Sequence, residues 1–426
     1  MYKQYISVDE ALQEIINHTP RANTEIVPLD QAVGRVLARD VVADTPVPSF
    51  AKSPLDGFAV RFEDVKTATK ENPVALTVVE EIPAGHLPKV TLTLGQAARI
   101  MTGAPLPEGA DTIIKFEDTS LVMSEKQHYE ACGDKVTIFN VPKSAGNYAE
   151  IGEDINKGDV ILNAGCVIEP AVIAVLATFG YAHVAVYTRP SAIVFASGDE
   201  LVNVDDDPMP GKIRNSNSPS IAAQLQLWGA NVDVGKIVQD QEEIIAATLI
   251  HALQRYQLVV TTGGVSVGDY DVMKDVFQKI GAEIIFWRVN MRPGTPMVVA
   301  KWDDKLIIGL SGNPSAAYIS CELFVRAYVY KMQGRFDFWR EPVTATLVED
   351  VGKAVNQDRY LRAVANINQA GNLVVKPLAK QKSGILGNMI DANALVYVPA
   401  DDNKIYKGDQ VKVILLKAPK GESVND

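Results

Sequence analysis

The chain's 426 residues exceed what one hydrophobic core ordinarily accommodates, so two to four domains are expected. Hydrophobic residues at 47% and charged residues at 22% are the proportions of a soluble globular protein. A formal charge of −11 excludes nucleic acid and anionic membrane as general partners, so any anionic ligand needs a local basic pocket.

The opening "MYKQYISVDE" has neither the basic nor the apolar region of a signal peptide. No stretch approaches the roughly 18 to 20 apolar residues that span a bilayer. Cys132, Cys166 and Cys321 are scattered, and the five histidines lack a zinc-ligand spacing. A reducing, cytoplasmic location is expected. In chain order, "SVDEALQEIINHT" opens with Ser7 and Glu10 at capping-box spacing and predicts a helix. "PLDQAVGRVLARDVVA" predicts a second, short one. From Pro46 to about Asn140 the text is rich in proline and glycine, with short strands in "ALTVVEEI", "VTLTL" and "DTIIKFED". That is a β-rich insert. "IEPAVIAVLATFG" is a helix ending at Gly180.

From "AHVAVYTRP" onward strand and helix alternate. "SAIVFAS" is a strand buried on both faces. "SPSIAAQLQLWG" is a helix with Ser218 as N-cap and Pro219 in the first position. "ANVDVGKIV" and "QLVVTT" are strands on either side of the helix "DQEEIIAATLIHALQRY". "DYDVMKDVFQKIG" is a helix, "KLIIGLS" a strand, and "NPSAAYISCELFVRAYVYKM" a long helix. Such units make an open, mostly parallel α/β sheet. Beyond about Gly334 the pattern is all-β, spaced as a small barrel or sandwich: "PVTATLVED", "NLVVKPLA", "ALVYVPA", "QVKVILL".

Ligands of open parallel sheets bind beyond the carboxyl ends of the strands. Four such ends carry distinctive residues: Ser197-Gly198-Asp199-Glu200, Gln239-Asp240, "TTGGVSVGDYD" from Thr261 to Asp271, and Ser311-Gly312-Asn313-Pro314. Each has a bland reading as a cap or a turn; their convergence on one rim raises the functional one. The glycine-rich stretch is neither a Walker A loop nor a dinucleotide fingerprint. Its glycines offer backbone N–H groups to an anion. Asp269 and Asp271, with Glu200 and Asp240 on neighbouring loops, would repel that anion unless a cation lies between them, and hard oxygen ligands suit Mg²⁺. Arg288 and Arg292 in "FWRVNMRPGTP" supply positive charge suited to oxyanions. Asp56 beside Gly57 and Thr102 beside Gly103 sit in two upstream turns.

Taken in order, "SPLDGFAV", "RIMTGAPLPEGADTII", "SGDEL", "TTGGVSVGDYD", "MRPGTP" and "GLSGNPSAA" resemble the motif series of the MoeA family, the molybdopterin molybdenumtransferases that include the gephyrin E-domain. The resemblance implies an elongated helical region of residues 1–45 with 141–186 and a β insert of residues 46–140. It further implies a MogA-like molybdopterin-binding α/β domain of residues 187–334 and a C-terminal β-barrel of residues 335–426. It implies a homodimer, with Asp56 and Thr102 of one subunit facing the α/β cleft of the other. The implied activity inserts molybdate into adenylylated molybdopterin with Mg²⁺-dependent hydrolysis of the adenylate, releasing molybdenum cofactor and AMP. Molybdopterin adenylyltransferase and molybdoenzyme apoproteins or their chaperones are the implied partners.

Carried onto this sequence, the resemblance gives Asp56, Thr102, Glu200, Asp240, Asp271, Arg288 and Arg292 as catalytic residues. Glu200, Asp240 and Asp271 become metal ligands. Substrate would lie on Ser197, Gly198, Thr262, Gly263, Gly264, Ser266, Gly268, Ser311, Gly312, Asn313, Pro314, Arg362 and Ser383. Arg288 and Arg292 stand where lysines are frequent in the family, and Gly387-Asn388 where two serines are expected. The sequence leaves open whether Asp269 or Asp271 binds metal, although the spacing from Gly268 favours Asp271. Two alternatives remain: a non-catalytic, gephyrin-like scaffold, and a molybdopterin adenylyltransferase, which the α/β domain alone resembles.

Overall fold

The computed structural model describes residues 2–120, 135–264, 272–352, 356–400 and 404–421. They form two compact units, one of residues 1–39, 164–177 and 181–426, the other of residues 40–163 and 178–180.

The first unit is built on a seven-stranded sheet of β1 (Lys3–Ile6), β2 (Ser191–Ala196), β3 (Asn231–Val234), β4 (Leu258–Thr262), β5 (Glu283–Val289), β6 (Met297–Trp302) and β7 (Lys305–Leu310). Their order is β1-β5-β6-β7-β4-β2-β3, and only β6 pairs antiparallel with its neighbours. The apolar runs have a simple cause: both faces are covered. Ala192, Val194, Leu258, Val260, Leu306 and Ile308 point to one side, against helices α1 (Val8–Asn17), α2 (Asn217–Leu227) and α5 (Pro314–Ser320). The alternate residues Ile193, Phe195, Val259 and Ile307 point to the other, against α3 (Glu242–Leu253) and α4 (Val272–Ile280). Each such side chain contributes about 1.5–3 kcal/mol by leaving water. The chain beyond α5 continues through a π-helical turn, Cys321–Val325, into the helix Arg326–Met332.

The C-terminal strands β8 (Val343–Leu347), β9 (Asp358–Ile367), β10 (Leu373–Pro377), β11 (Ala394–Val398) and β12 (Gln410–Leu415) pair in the order β9-β10-β8-β12-β11. The β9–β11 ladder closes the ring, making the barrel the sequence predicts. Ala345, Ala363, Val375, Val396 and Val413 fill it.

The second unit holds a five-stranded sheet in the order Thr112–Lys115, Gly57–Val60, Gln96–Ile100, Val74–Ile82, Lys135–Ile138. Its strands lie within the β-rich stretch of residues 46–140. Phe58, Val60 and Ile114 enter one core and Ala59, Ile100 and Ile113 another.

Four local expectations are corrected. The second short helix is absent: only the 3₁₀ turn Leu29–Gln31 forms, Gly34 takes φ +74°, and Val36 and Leu37 run extended to bridge Val167 and Val186. Those β-branched and apolar residues are half of a pairing made far along the chain, which local periodicity does not report. Ser218 is not the cap of α2; Asn215 Oδ1 accepts the Ser218 N–H at 3.1 Å while Asn215 Nδ2 donates to Ser218 Oγ at 3.0 Å. "VTLTL" is not a strand; its neighbour Gln96–Ile100 is, because the segment before it is held by Glu80, which accepts the Lys89 and Val90 N–H groups. Lys3–Ile6, expected in the helical region, joins the edge of the α/β sheet beside β5.

Candidate active site

β7, β4 and β2 are adjacent and parallel, so their carboxyl ends open on one rim. Ser197, Thr262, Gly263, Gly264, Ser311, Gly312, Asn313 and Pro314 all stand there, as the sequence predicts. A compact polar network joins them. Thr262 Oγ1 donates to Ser311 O at 3.0 Å and accepts from Asn217 Nδ2 at 2.8 Å, and Asn217 also donates to Gly312 O at 2.9 Å. Asn313 N–H donates to Ser311 Oγ at 3.2 Å. Ser197 N–H reaches Thr262 O at 3.0 Å and Gly263 N–H reaches Leu310 O at 3.2 Å. Gly263 has φ +88°, and a Cβ on it would lie 2.2 Å from Ser197 O. No other residue type fits that approach of two loops. Asn217 was missed by sequence reasoning; the only hint was its place at the start of a helix following a rim strand.

The acids lie beside this network. Ser197 bridges in parallel to Val238, which carries Asp240 alongside the end of β2. Burial pushes the Asp240 carboxyl above the usual range, and repulsion from Asp199 and Glu200 adds to this against a lowering hydrogen bond from the Ser197 side chain. Glu200 folds back over Gly198, where a Cβ would lie 2.6 Å from Glu200 Oε2. Asp271, Asp269, Ser266 and Gly268 lie outside the described residues. Among the described residues no three His, Cys, Asp or Glu side chains gather as a metal cage. Glu200 and Asp240 are nonetheless hard oxygen donors, and a cation beside them would relieve the repulsion that Asp240 feels, so the donor set fits Mg²⁺.

The barrel contributes a third element. Ser383 O accepts the Ser315 N–H at 2.9 Å, at the start of α5, and a Cβ on Gly384 would stand 3.9 Å from Asn313 Oδ1. Arg362, on β9, is 1% exposed and holds this loop from behind. The Gly387–Met389 segment is a 3₁₀ turn, and Asn388 Nδ2 donates to Lys380 O at 2.5 Å.

Arg288 lies near the carboxyl end of β5, a strand that runs parallel to β7 across β6 and so ends on the same rim. It has φ +70°, donates from Nη1 to Tyr5 Oη, and sits 5.3 Å over the Tyr5 ring. Tyr5 itself has φ +52°. Arg292, in the two-residue strand Met291–Arg292, pairs in register with Arg359, whose guanidinium is pushed down by burial and by the Arg292 charge.

Asp56 and Thr102 belong to the second unit. Gly57 pairs with Ile100, which brings the two turns together. Asp56 Oδ1 accepts from Thr102 N–H at 2.7 Å and Thr102 Oγ1 at 2.8 Å. These bonds hold the Asp56 carboxyl below its usual range. A cavity of about 320 Å³ opens elsewhere in the first unit, against α1 and the barrel, lined by Asp9, Glu322, Arg340, Tyr360 and Tyr397 among others. None of the predicted site residues lines it.

An α/β sheet with a hydrogen-bonded, glycine-rich rim and flanking carboxylates, joined to a closed five-stranded barrel, defines a multidomain α/β protein whose candidate ligand site lies at the sheet's carboxyl rim. Comparison with known proteins makes this particular. Residues 6–180 match the MoeA N-terminal region (domain I and II), residues 193–331 the "Probable molybdopterin binding domain", and residues 344–416 the MoeA C-terminal region (domain IV). The molybdopterin molybdenumtransferase of Staphylococcus epidermidis is 40% identical over 97% of this chain and 96% of its own. That of Staphylococcus aureus is 39% identical over 98% and 97%. The crystal structure of the molybdopterin biosynthesis moeA protein of Pyrococcus horikoshii superposes with a TM-score of 0.81 at 28% identity, covering 96% of this chain and 99% of that one. The chain belongs to the MoeA family, the molybdopterin molybdenumtransferases of molybdenum cofactor biosynthesis.

Proposed function

We propose that the chain transfers molybdate onto adenylylated molybdopterin at this rim, with hydrolysis of the adenylate and release of AMP. The observation that carries the reading is the Thr262–Asn217–Gly312 network beside Asp240. It fixes polar backbone where an anion can approach, next to carboxylates whose crowding calls for a cation. Thr262 and Asn217 tie the two loops together, so the backbone of Gly264 and Gly312 can face a phosphate without side-chain interference. Glu200 and Asp240, with Asp271, would hold Mg²⁺, which supplies neutralisation of the pyrophosphate charge. Molybdate is a substrate, and Arg288 on the rim, with Arg292 on the adjoining strand against the barrel, would be the cationic groups for an oxyanion. Asp56 and Thr102 would be contributed by a second copy in a homodimer. The reading places the enzyme in the cytoplasm, receiving substrate from an adenylyltransferase and delivering product to molybdoenzyme apoproteins or chaperones.

Removing one preorganised electrostatic group commonly costs on the order of 10² to 10³ in rate. Wild-type protein is expected to release AMP from adenylylated molybdopterin only with molybdate and Mg²⁺, and Asp240→Ala or Glu200→Ala to lose that release by such a factor while staying folded. Undiminished release from both variants would falsify the assignment. Adenylylation of molybdopterin from ATP would point instead to an adenylyltransferase.

A further inference from the structure

Arg362 is a buried cation that forms no ion pair among the described residues. Its Nη1 donates to Ser315 Oγ and to Ile385 O at 2.9 Å, and its Nη2 to Lys380 O at 2.8 Å and Lys382 O at 3.2 Å. Only Nε, also buried, is without a partner. Three carbonyls of one short loop therefore converge on one guanidinium. Without a cation their dipoles would repel each other, so the loop's shape depends on the charge it encloses. The backbone of Arg362 is tied to the same loop: its N–H donates to Gln381 Oε1 at 3.1 Å, and Gln381 Nε2 donates back to Arg362 O at 2.8 Å. The fourth partner, Ser315, lies in α5 two residues after Asn313 and donates its N–H to Ser383 O at 2.9 Å. Arg362 thus connects the barrel, the loop and the rim through one planar group.

We propose that Arg362 is a positioning residue: it shapes the barrel loop 380–385 into a wall of the rim site, so that Ser383 and Gly384, rather than the guanidinium, meet the ligand. This rests on the reading of the rim given above. A lysine would keep the charge but not the diverging fork that reaches four acceptors at once.

Hydrogen exchange of the ligand-free protein and steady-state kinetics with adenylylated molybdopterin and molybdate test it together. In Arg362→Lys, the Ser315 amide and the 380–388 segment are expected to exchange at least tenfold faster. KM for adenylylated molybdopterin should rise tenfold or more, with kcat within about threefold. Ser315→Ala should shift both readouts in the same direction by less, and it carries the test if Arg362→Lys does not fold. Lost binding with unchanged loop exchange would mean that the guanidinium itself contacts ligand and would overturn the proposal. So would a loosened loop with unchanged KM. If wild-type protein shows no molybdate-dependent AMP release, the functional reading fails, while the exchange result still decides whether Arg362 shapes the loop.

Discussion

Alanine at three rim glycines should produce a graded loss that only this geometry predicts. At Gly263 an alanine must adopt φ +88°, which costs a residue with a Cβ about 1–2 kcal/mol. Its Cβ would also sit 2.2 Å from Ser197 O, about 1.2 Å inside an ordinary contact near 3.4 Å. The obstacle is backbone, anchored by the Ser197 N–H bond to Thr262 O, so it cannot rotate away. Forcing it aside adds about 1–3 kcal/mol, as overpacking does. The sum, about 2–5 kcal/mol, is a large part of a typical total stability of about 5–15 kcal/mol. Gly264 shares the backbone cost at φ +68°, but the one tight contact of its Cβ is with the Ser197 hydroxyl at 3.0 Å, a side chain rather than backbone, and Met273 stands at an ordinary 3.6 Å. Gly312 has no positive φ, and its Cβ would make an ordinary contact at 3.5 Å. Alanine there should be neutral or stabilising by about 0.4–1 kcal/mol through the unfolded state. Thermal unfolding by circular dichroism, at roughly 2–4 °C per kcal/mol, should place Gly263→Ala about 5–15 °C below wild type, Gly264→Ala a few degrees below, and Gly312→Ala level or above. If Gly263→Ala melts with Gly312→Ala, the two loops do not approach as described. Gly312→Ala then isolates function, because a stable variant with a raised KM reports a ligand resting on that backbone.

Two predictions concern the acids. Thr102→Val removes one of two donors to Asp56, a carboxyl whose pKa is held down in the folded state; its stabilisation is present above the ordinary carboxylate range and lost as pH falls through the folded value. The variant should therefore be about 1 kcal/mol less stable at pH 7, discounted for the exposure of the pair, and the gap should close on acidification; a gap independent of pH would refute the hydrogen bond as its source. Asp240 is the opposite case, because a raised carboxyl pKa makes the folded state the better proton binder and lowers stability once the group ionises. Asp240→Asn should be stabilised by a few tenths of a kcal/mol at pH 7, with no gain at about pH 3, and unlike wild type its Tm should not rise when MgCl₂ is added; equal magnesium shifts in the two proteins would remove Asp240 from the metal site.

What could be read from the sequence, and what could not, follows from the range of the interactions. The runs "SAIVFA", "QLVV" and "KLIIGL" were legible as doubly buried strands because their successive apolar residues enter cores on opposite faces of the sheet. The rim motifs were legible because polar and glycine residues immediately after such runs have few structural reasons to recur at three strand ends. The failures share a different cause. The segment around Val36 has helical periodicity, yet its partners Val167 and Val186 lie more than a hundred residues away. Lys3–Ile6 is too short to declare itself as an edge strand before β5 exists to receive it. Asn217 and the loop 380–385 reach the rim only because α2 and the barrel are docked onto the sheet, and no local pattern encodes docking.

The chain's charge gives the site its logic. With 52 acidic and 41 basic residues, the long-range field opposes an incoming anion. Attraction must therefore be exerted at contact distance, inside the roughly 8 Å over which charges remain unscreened at physiological ionic strength. Under the proposed function the rim would meet that need with fixed dipoles rather than with many lysines: the glycine loops tied by Thr262 and Asn217, and a barrel loop whose carbonyls are turned inward onto Arg362. Turning those carbonyls inward removes them from the ligand's side, where their negative ends would add to the acids' repulsion. Under the proposed function the buried arginine thus shapes an anion site without touching the anion, and the crowding of Asp240 by Asp199 and Glu200 is what a divalent cation arriving with the anion would relieve.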